Sequence, residues 1–234
     1  MARRIAIPND CLSCTLRQSG DFCNFQQPLM STFNNLGHLT FYPSNAILLS
    51  EGQSPRGVYI ACSGRAKISV QARDGKTLIL TIAGDRQVFG LSTVIDGGVS
   101  PVTVTTIEFC QIKFLERDSF LRLIQHDARV ALACATILGR EIKSAFEDVH
   151  ELLFARSSTE KLARLLLSWV SSETKNRELR VETEFTHEEI AQMIGSSRET
   201  VTRLFSDLKR KNLIRLEGAT LVIPNRIALQ AITN

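Results

Sequence analysis

No run of apolar residues in this chain reaches the roughly 18 that a helix needs to cross a bilayer. The opening, MARRIAIPND, also lacks the apolar stretch of an export signal, so the chain is expected in the cytoplasm. Without such a signal, six cysteines fit a disulfide framework poorly, which leaves metal binding or plain burial. Internal repeats and low-complexity segments are missing. So are a nucleophile with its base, a phosphate-binding glycine loop and a paired-carboxylate site in supporting context, and an enzyme is not expected. His38, His126, His150 and His187 are scattered with no ligand pattern, which argues against haem. A net charge of +4 decides little. Its distribution says more, because Arg198, Arg203, Lys209, Arg210, Lys211 and Arg215 gather near the C-terminal end.

What is present divides into four regions. Residues 1–30 are a polar leader holding Cys11, Cys14 and Cys23, with too few large apolar residues to stand as a domain, so it must lean on something else. Residues 31–126 read as short strands: Ala46 to Leu49, Val58 to Ala61, Ala66 to Gln71, Thr77 to Ile82 and Val102 to Phe109, with Cys110 leading into Ile112 and Phe114. Breaks at Gly52, Ser63-Gly64, Asp74-Gly75 and Gly84-Asp85 separate them, a pattern of barrels and jelly rolls, and Asp74-Gly75 signals a hairpin.

Residues 127–155 are helical. Ala131, Ala135, Leu138, Ile142, Ala145, Val149 and Leu152 recur in alternating steps of four and three, the stripe along which two helices pair; the other reading is a helix packed on its own barrel. Residues 156–234 open with an amphipathic helix, Ser158 to Val170, and a short strand near Leu179 to Val181.

Next, Thr186 and Glu189 form a capping box that opens a helix through about Met193, with Ile190 and Met193 inward. Gly195 permits a tight turn. Ser196 and Glu199 form a second box, opening a helix through about Lys211 with Val201, Leu204, Phe205 and Leu208 inward: a helix-turn-helix. Its exposed start carries Ser197, Arg198, Glu199, Thr202 and Arg203. Arginine donates twice to guanine and glutamate accepts from the cytosine amino group, so this face suits base reading. A solvated Glu199–Arg203 ion pair, four apart on a helix, is the competing reading. Leu213 to Leu216, the Glu217-Gly218 turn and Thr220 to Ile223 form a hairpin, a wing suited to phosphate contacts.

The segment Ser197-Arg198-Glu199-Thr200-Val201-Thr202-Arg203 resembles the recognition-helix signature of the CRP/FNR family of regulators. The resemblance spans nearly the whole chain and implies an α+β protein: an N-terminal β-roll of the cyclic-nucleotide-binding jelly-roll kind, a long dimerisation helix and a C-terminal winged helix-turn-helix. It further implies a homodimer on palindromic double-stranded DNA with half-sites of the TGTGA or TTGAT kind, and contacts with RNA polymerase. Having both Arg198 and Arg203 is more similar to the catabolite-activator version.

The sensor end is similar to another branch. Glu108-Phe109-Cys110-Gln111-Ile112-Lys113-Phe114 resembles the segment that supplies the fourth cysteine of the iron-sulfur regulators. By that resemblance Cys11, Cys14, Cys23 and Cys110 hold a [4Fe-4S] cluster sensitive to oxygen, nitric oxide or redox state. Cys14 and Cys23 stand further apart than in the best-known member of that branch. Zinc would take the same ligands, and a thiol switch or an iron-sulfur electron carrier are the other readings. Cys62 and Cys134 read as buried structural thiols. A cyclic nucleotide is not expected, because Gly90-Leu91-Ser92 and Ser100-Pro101 stand where nucleotide-binding relatives carry a ribose-binding acid and a phosphate-binding arginine.

Overall fold

Alternating burial, which arises because successive strand side chains point to opposite faces, organises the N-terminal half of the chain. The computed structural model describes residues 10–14, 22–154, 157–169, 178–182, 185–218 and 220–233. A single 3-10 turn, Phe22–Asn24, and helix α1 (Leu29–Leu36) lead into strands β1 (Gly37–Tyr42), β2 (Ile47–Leu49), β3 (Gly57–Ser63), β4 (Ala66–Gln71), β5 (Thr77–Ala83) and β6 (Val88–Phe89). After helix α2 (Leu91–Asp96) come β7 (Thr103–Thr106) and β8 (Cys110–Glu116). Two four-stranded sheets result, ordered β1-β8-β3-β6 and β2-β7-β4-β5, and Gly75 sits at a φ of 83° between the hydrogen-bonded neighbours β4 and β5.

Between these sheets lies one core, with Leu48, Leu49, Ala66, Ala83 and Val104 from one sheet and Ala61, Phe89, Cys110 and Ile112 from the other. The opposite face of the first sheet carries a second core. There Val58, Ile60 and Leu115 meet Phe22, Phe25, Leu29, Met30 and Phe33, together with Phe120 and Leu123 of α3 (Arg117–His126) and Val130, Cys134 and Ile137 of α4 (Ala128–Phe154). The leader thus leans on the roll through aromatic wedges: the Phe22 ring lies 5.7 Å from those of Phe33 and Phe120.

In this half of the chain α1, β1, β6, α2 and α3 were not expected from the sequence. The segment GHLTFY of β1 carries no clean alternation; it is a strand because it pairs along its length with β8, Gly37 opposite Leu115 through Tyr42 opposite Cys110. The strand expected to run to Phe109 stops at Thr106, since β7 and β8 belong to different sheets and residues 107–109 make the crossing.

Helix α4 uses more than one face. Val130, Cys134 and Ile137 pack on the roll with half-buried Leu138 beside them, so Leu138 of the expected pairing stripe serves the chain's own core. Ala135, Ile142, Ala145 and Val149 of that stripe are exposed and Ala131 is half-buried, while Leu132, Gly139 and Phe146 extend the exposed apolar strip. The side chains of His150 and Leu152, and residue Val170, lie outside the described ones.

The chain forms two compact units, one of Met1–Ala72 with Ile79–Phe146 and one of Arg73–Leu78 with Glu147–Asn234. In the second, α5 (Ser158–Ser168), β9 (Leu179–Glu182), α6 (His187–Ile194), α7 (Arg198–Arg210), β10 (Arg215–Glu217), β11 (Thr220–Ile223) and α8 (Arg226–Gln230) follow in order. Strands β10-β11-β9 form a three-stranded sheet, and Leu162, Leu166, Ile190, Val201, Phe205, Leu208, Leu221 and Leu229 share one core. Among the described residues no helix is long and apolar enough to cross a membrane.

Candidate nucleic-acid interface and thiol cluster

Helix α6 starts with the expected reciprocal cap: Thr186 Oγ1 accepts from the Glu189 N–H at 3.2 Å, and the Glu189 carboxylate accepts from the Thr186 N–H at 3.0 Å. It ends at Gly195, whose φ of 62° is left-handed backbone that glycine adopts without penalty. Its inward face is Ile190, Ala191 and Ile194, with Met193 only half-buried. The expected capping pair Ser196 and Glu199 is shifted by one residue, for Ser197 is the cap and its hydroxyl accepts from the Thr200 N–H at 3.2 Å. All four expected inward residues of α7, Val201, Leu204, Phe205 and Leu208, are buried.

That burial fixes what α7 presents outward: Ser197, Arg198, Glu199, Thr202 and Arg203 are all exposed. Among the described residues neither Glu199 nor Arg203 has an ion-pair partner, so the competing ion pair is not formed. A hydrogen bond from its own N–H, another from the Ser197 hydroxyl and the neighbouring Arg198 charge hold the Glu199 carboxyl below the usual range, leaving it an ionised acceptor. Thr202 Oγ1 donates to the Arg198 carbonyl at 2.9 Å, so it must accept from His187 Nδ1–H at 3.0 Å. His187 is stacked on Phe205 at 4.9 Å, and burial, with the charges of Lys209 and Arg198, holds its imidazole below the ordinary range. The hairpin β10–β11 turns through Gly218, with φ at 64°, and Arg215 binds the Glu178 carboxylate at 2.7 Å.

At the other end, all six cysteines are free. The Cys11 N–H donates to Asn34 Oδ1 at 3.0 Å, and Lys113 Nζ donates to the same oxygen at 3.2 Å and to the Asn34 carbonyl at 3.1 Å. Burial raises the Cys11 thiol, opposed by the charge of Lys113 and a hydrogen bond from it. Burial also pushes Cys23 up to about 11, with Cys11 and Cys14 adding to the rise. The three leader thiols therefore lie within reach of one another's charge, on the side of β8 that carries Lys113. Gly37 makes room there, since a methyl group on it would run into Cε and Cγ of Lys113. Among the described residues no three His, Cys, Asp or Glu side chains stand at metal-binding spacing as they are.

Cys110 faces the other way. It is buried in the core between the sheets, and its sulfur lies 3.3 Å from the Arg65 carbonyl and 3.4 Å from that of Glu108. Burial, with the charge of Glu108 next, pushes its thiol up to about 11. Asn34, Lys113 and Gly37 were not anticipated from the sequence. The signal available was parity: Cys110 and Lys113 are three apart on one strand and so cannot share a face.

In the roll, Gly90 has a φ of 77° and opens α2, while Ser100 is buried with its hydroxyl donating to the Val102 carbonyl at 2.7 Å. Both lie in a stretch that matches a known domain. A family model described as a cyclic nucleotide-binding domain matches residues 39–127, and one described as a Crp-like helix-turn-helix domain matches residues 160–232. The CRP-like cAMP-activated global transcriptional regulator of Mycobacterium tuberculosis is 30% identical over 193 residues, covering 81% of this chain and 86% of that protein. This chain belongs to the CRP/FNR family. It is a DNA-binding transcription regulator, and the curated relatives are regulators rather than enzymes. The cAMP-activated regulator CRP of Haemophilus influenzae is 28% identical over 200 residues, 85% of this chain and 89% of that one. Among solved structures, the c-di-GMP responsive global regulator CLP of Xanthomonas campestris matches with a TM-score of 0.73 at 21% identity, covering 86% of this chain and all of that one. FixK2 of Bradyrhizobium japonicum matches at 0.70 and 21%, over 85% of this chain and 98% of its own. Helices α6 and α7 both lie within the residues that the helix-turn-helix model matches.

Proposed function

We propose that this CRP/FNR regulator is a cytoplasmic homodimer that reads a palindromic duplex through Ser197, Arg198, Glu199, Thr202 and Arg203, and that its leader thiols make this binding responsive to oxygen, nitric oxide or redox state. The observation that carries the sensing reading is the gathering of Cys11, Cys14 and Cys23 around a buried lysine. Burial keeps Cys11 and Cys23 protonated while the site is empty, and the Lys113 charge beside them offsets part of the cost of the thiolates that a bound metal would require. A [4Fe-4S] cluster on these cysteines supplies, when bound, a centre that oxygen or nitric oxide degrades; a zinc site or thiol switch on the same residues is the alternative. Leu132, Ala135, Gly139, Ile142, Phe146 and Val149 form an exposed strip with steps of three and four, which supports pairing of α4 with a second copy. Two recognition helices then enter major grooves about one turn, ~34 Å, apart, where they also stand to meet RNA polymerase.

The family model of the roll favours a second reading, in which a cyclic nucleotide is the effector. Against it stands Ser100, uncharged, buried and hydrogen-bonded within its own loop, at the position compared with a phosphate-binding arginine. The test is to purify the protein without air, determine iron, sulfide and zinc, select its operator from random duplexes, and titrate that operator before and after admitting air, with and without cAMP. Metal-dependent, air-sensitive binding with no response to cAMP is expected. Binding indifferent to air and switched on by cAMP would replace the sensing reading with the nucleotide one.

A further inference from the structure

Resting on the thiol-sensor reading, we infer that the fourth thiol of the leader site is Cys62 of β3 and not Cys110 of β8. Strand parity on β8 and the bulge on β3 carry the assignment. On β3, Val58 and Ile60 point into the core shared with the leader, α1 and α4, whereas Ala61 points between the sheets. Past Ala61 the alternation gives way to a bulge: Ser63 stands opposite Gln111, which shares the Lys113 side of β8, and Cys62 is the extra residue beside it. On β8, Leu115 belongs to the leader side, with Lys113 reaching Asn34 of α1, whereas Ile112 and Cys110 face between the sheets. For Cys110 to join the leader thiols, its strand would have to rotate and break its pairing with both β1 and β3.

Local contacts hold Cys110 where it is. A methyl group on Gly64 would meet the Cys110 sulfur at 2.7 Å, so the thiol is closed over by the β3–β4 turn and ringed by the Arg65 and Glu108 carbonyls. Cys62 is only half-buried and sits where the β3–β8 register shifts, between Ala61 opposite Ile112 and Ser63 opposite Gln111. A bulge of this kind leaves a residue outside the ladder and re-aims its side chain. Cys23, Cys11, Lys113 and Cys14 all lie near enough to act on the Cys62 thiol, which places it beside the leader site.

The set is then Cys11 and Cys14 on the turn closed by the Ser13 N–H donating to the Asp10 carbonyl, Cys23 on the turn pinned by Phe22, and Cys62 on the sheet. Three ligands come from the leader and one from the roll, so occupancy ties one to the other. Each thiol gives up its proton on ligation, and four thiolates suit an iron-sulfur cluster or tetrahedral zinc.

The experiment compares full-length wild type, Cys23→Ser, Cys62→Ser, Cys62→Ala, Cys110→Ser and Cys110→Ala, purified and reconstituted with iron and sulfide without air. Bound iron, sulfide and zinc are measured with the visible spectrum, and melting temperature and operator binding monitor the fold. Wild type and at least one folded Cys110 variant should hold the same metal content, while folded Cys62 and Cys23 variants hold less than a quarter of it. Metal retained by the Cys62 variants and lost by both Cys110 variants would overturn the assignment while leaving the sensor reading intact. A wild type that binds no metal would overturn both. Zinc without sulfide, lost with Cys62, would support the ligand set and replace the iron-sulfur reading.

Discussion

Each side chain on the outward face of α7 has a defined hydrogen-bonding capacity. Arg198 and Arg203 have unspent donors, Glu199 has lone pairs to offer, and the Thr202 hydroxyl has already given its proton to the Arg198 carbonyl. Replacing Arg203 by Ala should therefore weaken specific binding by about 1–3 kcal/mol, roughly fivefold to 150-fold, and relax discrimination at one base pair without lowering the melting temperature. Fluorescence anisotropy on single-base operator variants checks this, and a uniform loss across all variants would make Arg203 a phosphate contact. His187 gives a pH prediction. Its pKa in the folded chain lies below the ordinary 6.5, so above that pH both folded and unfolded chains are neutral at this position and its contribution is whole. As pH falls through about 6.5 the unfolded chain takes up the proton that the folded one resists, and stability is lost. Urea unfolding at pH 7.5 and 5.5 should show a larger drop for wild type than for His187→Gln; equal drops would acquit His187.

At the scale of elements, the helix-turn-helix was legible because its signals are local: caps, a glycine and an apolar spacing that all lie within one turn of where they act. The errors there were of one residue, Ser197 for Ser196 as cap and Ile194 for Met193 as inward residue, because adjacent serines and adjacent apolar residues satisfy the same pattern. The roll was legible only in part. Strand β1 depends on β8, 68 to 78 positions away, and the face on which Cys62 stands depends on a bulge that no spacing reveals. Helix α4 posed a different difficulty: the chain is apolar on the side that meets its own roll and on the side left open, so periodicity could not divide them. Its open side yields a test. Phe146 is 70% exposed, and Phe146→Glu should turn dimer into monomer at micromolar concentration by sedimentation, with the roll still folded. A dimer that survives this change places the pairing surface elsewhere.

For the whole molecule, the division into two compact units has a direct consequence for stability. Among the described residues, the core of the second unit draws on residues between Leu162 and Leu229, with Trp169, Phe185 and Ile232 packed around it. A fragment of residues 157–233 should therefore fold alone, giving a cooperative melt and dispersed amide resonances, while binding operator far more weakly than the dimer because one recognition helix lacks its partner. A fragment without a cooperative transition would show that the second unit needs the first.

The Phe22 wedge beside Cys23 belongs to the same continuous core as Val130, Cys134 and Ile137 of α4. If thiol occupancy alters operator affinity through that shared core, equilibrium thermodynamics demands the converse in equal measure. Operator should tighten metal retention by the factor by which metal tightens operator binding, a reciprocity that competition with a chelator, run with and without duplex, measures directly. A promoter-bound dimer would then hold its sensor longer than a free one, so that the genes occupied first respond last to the signal.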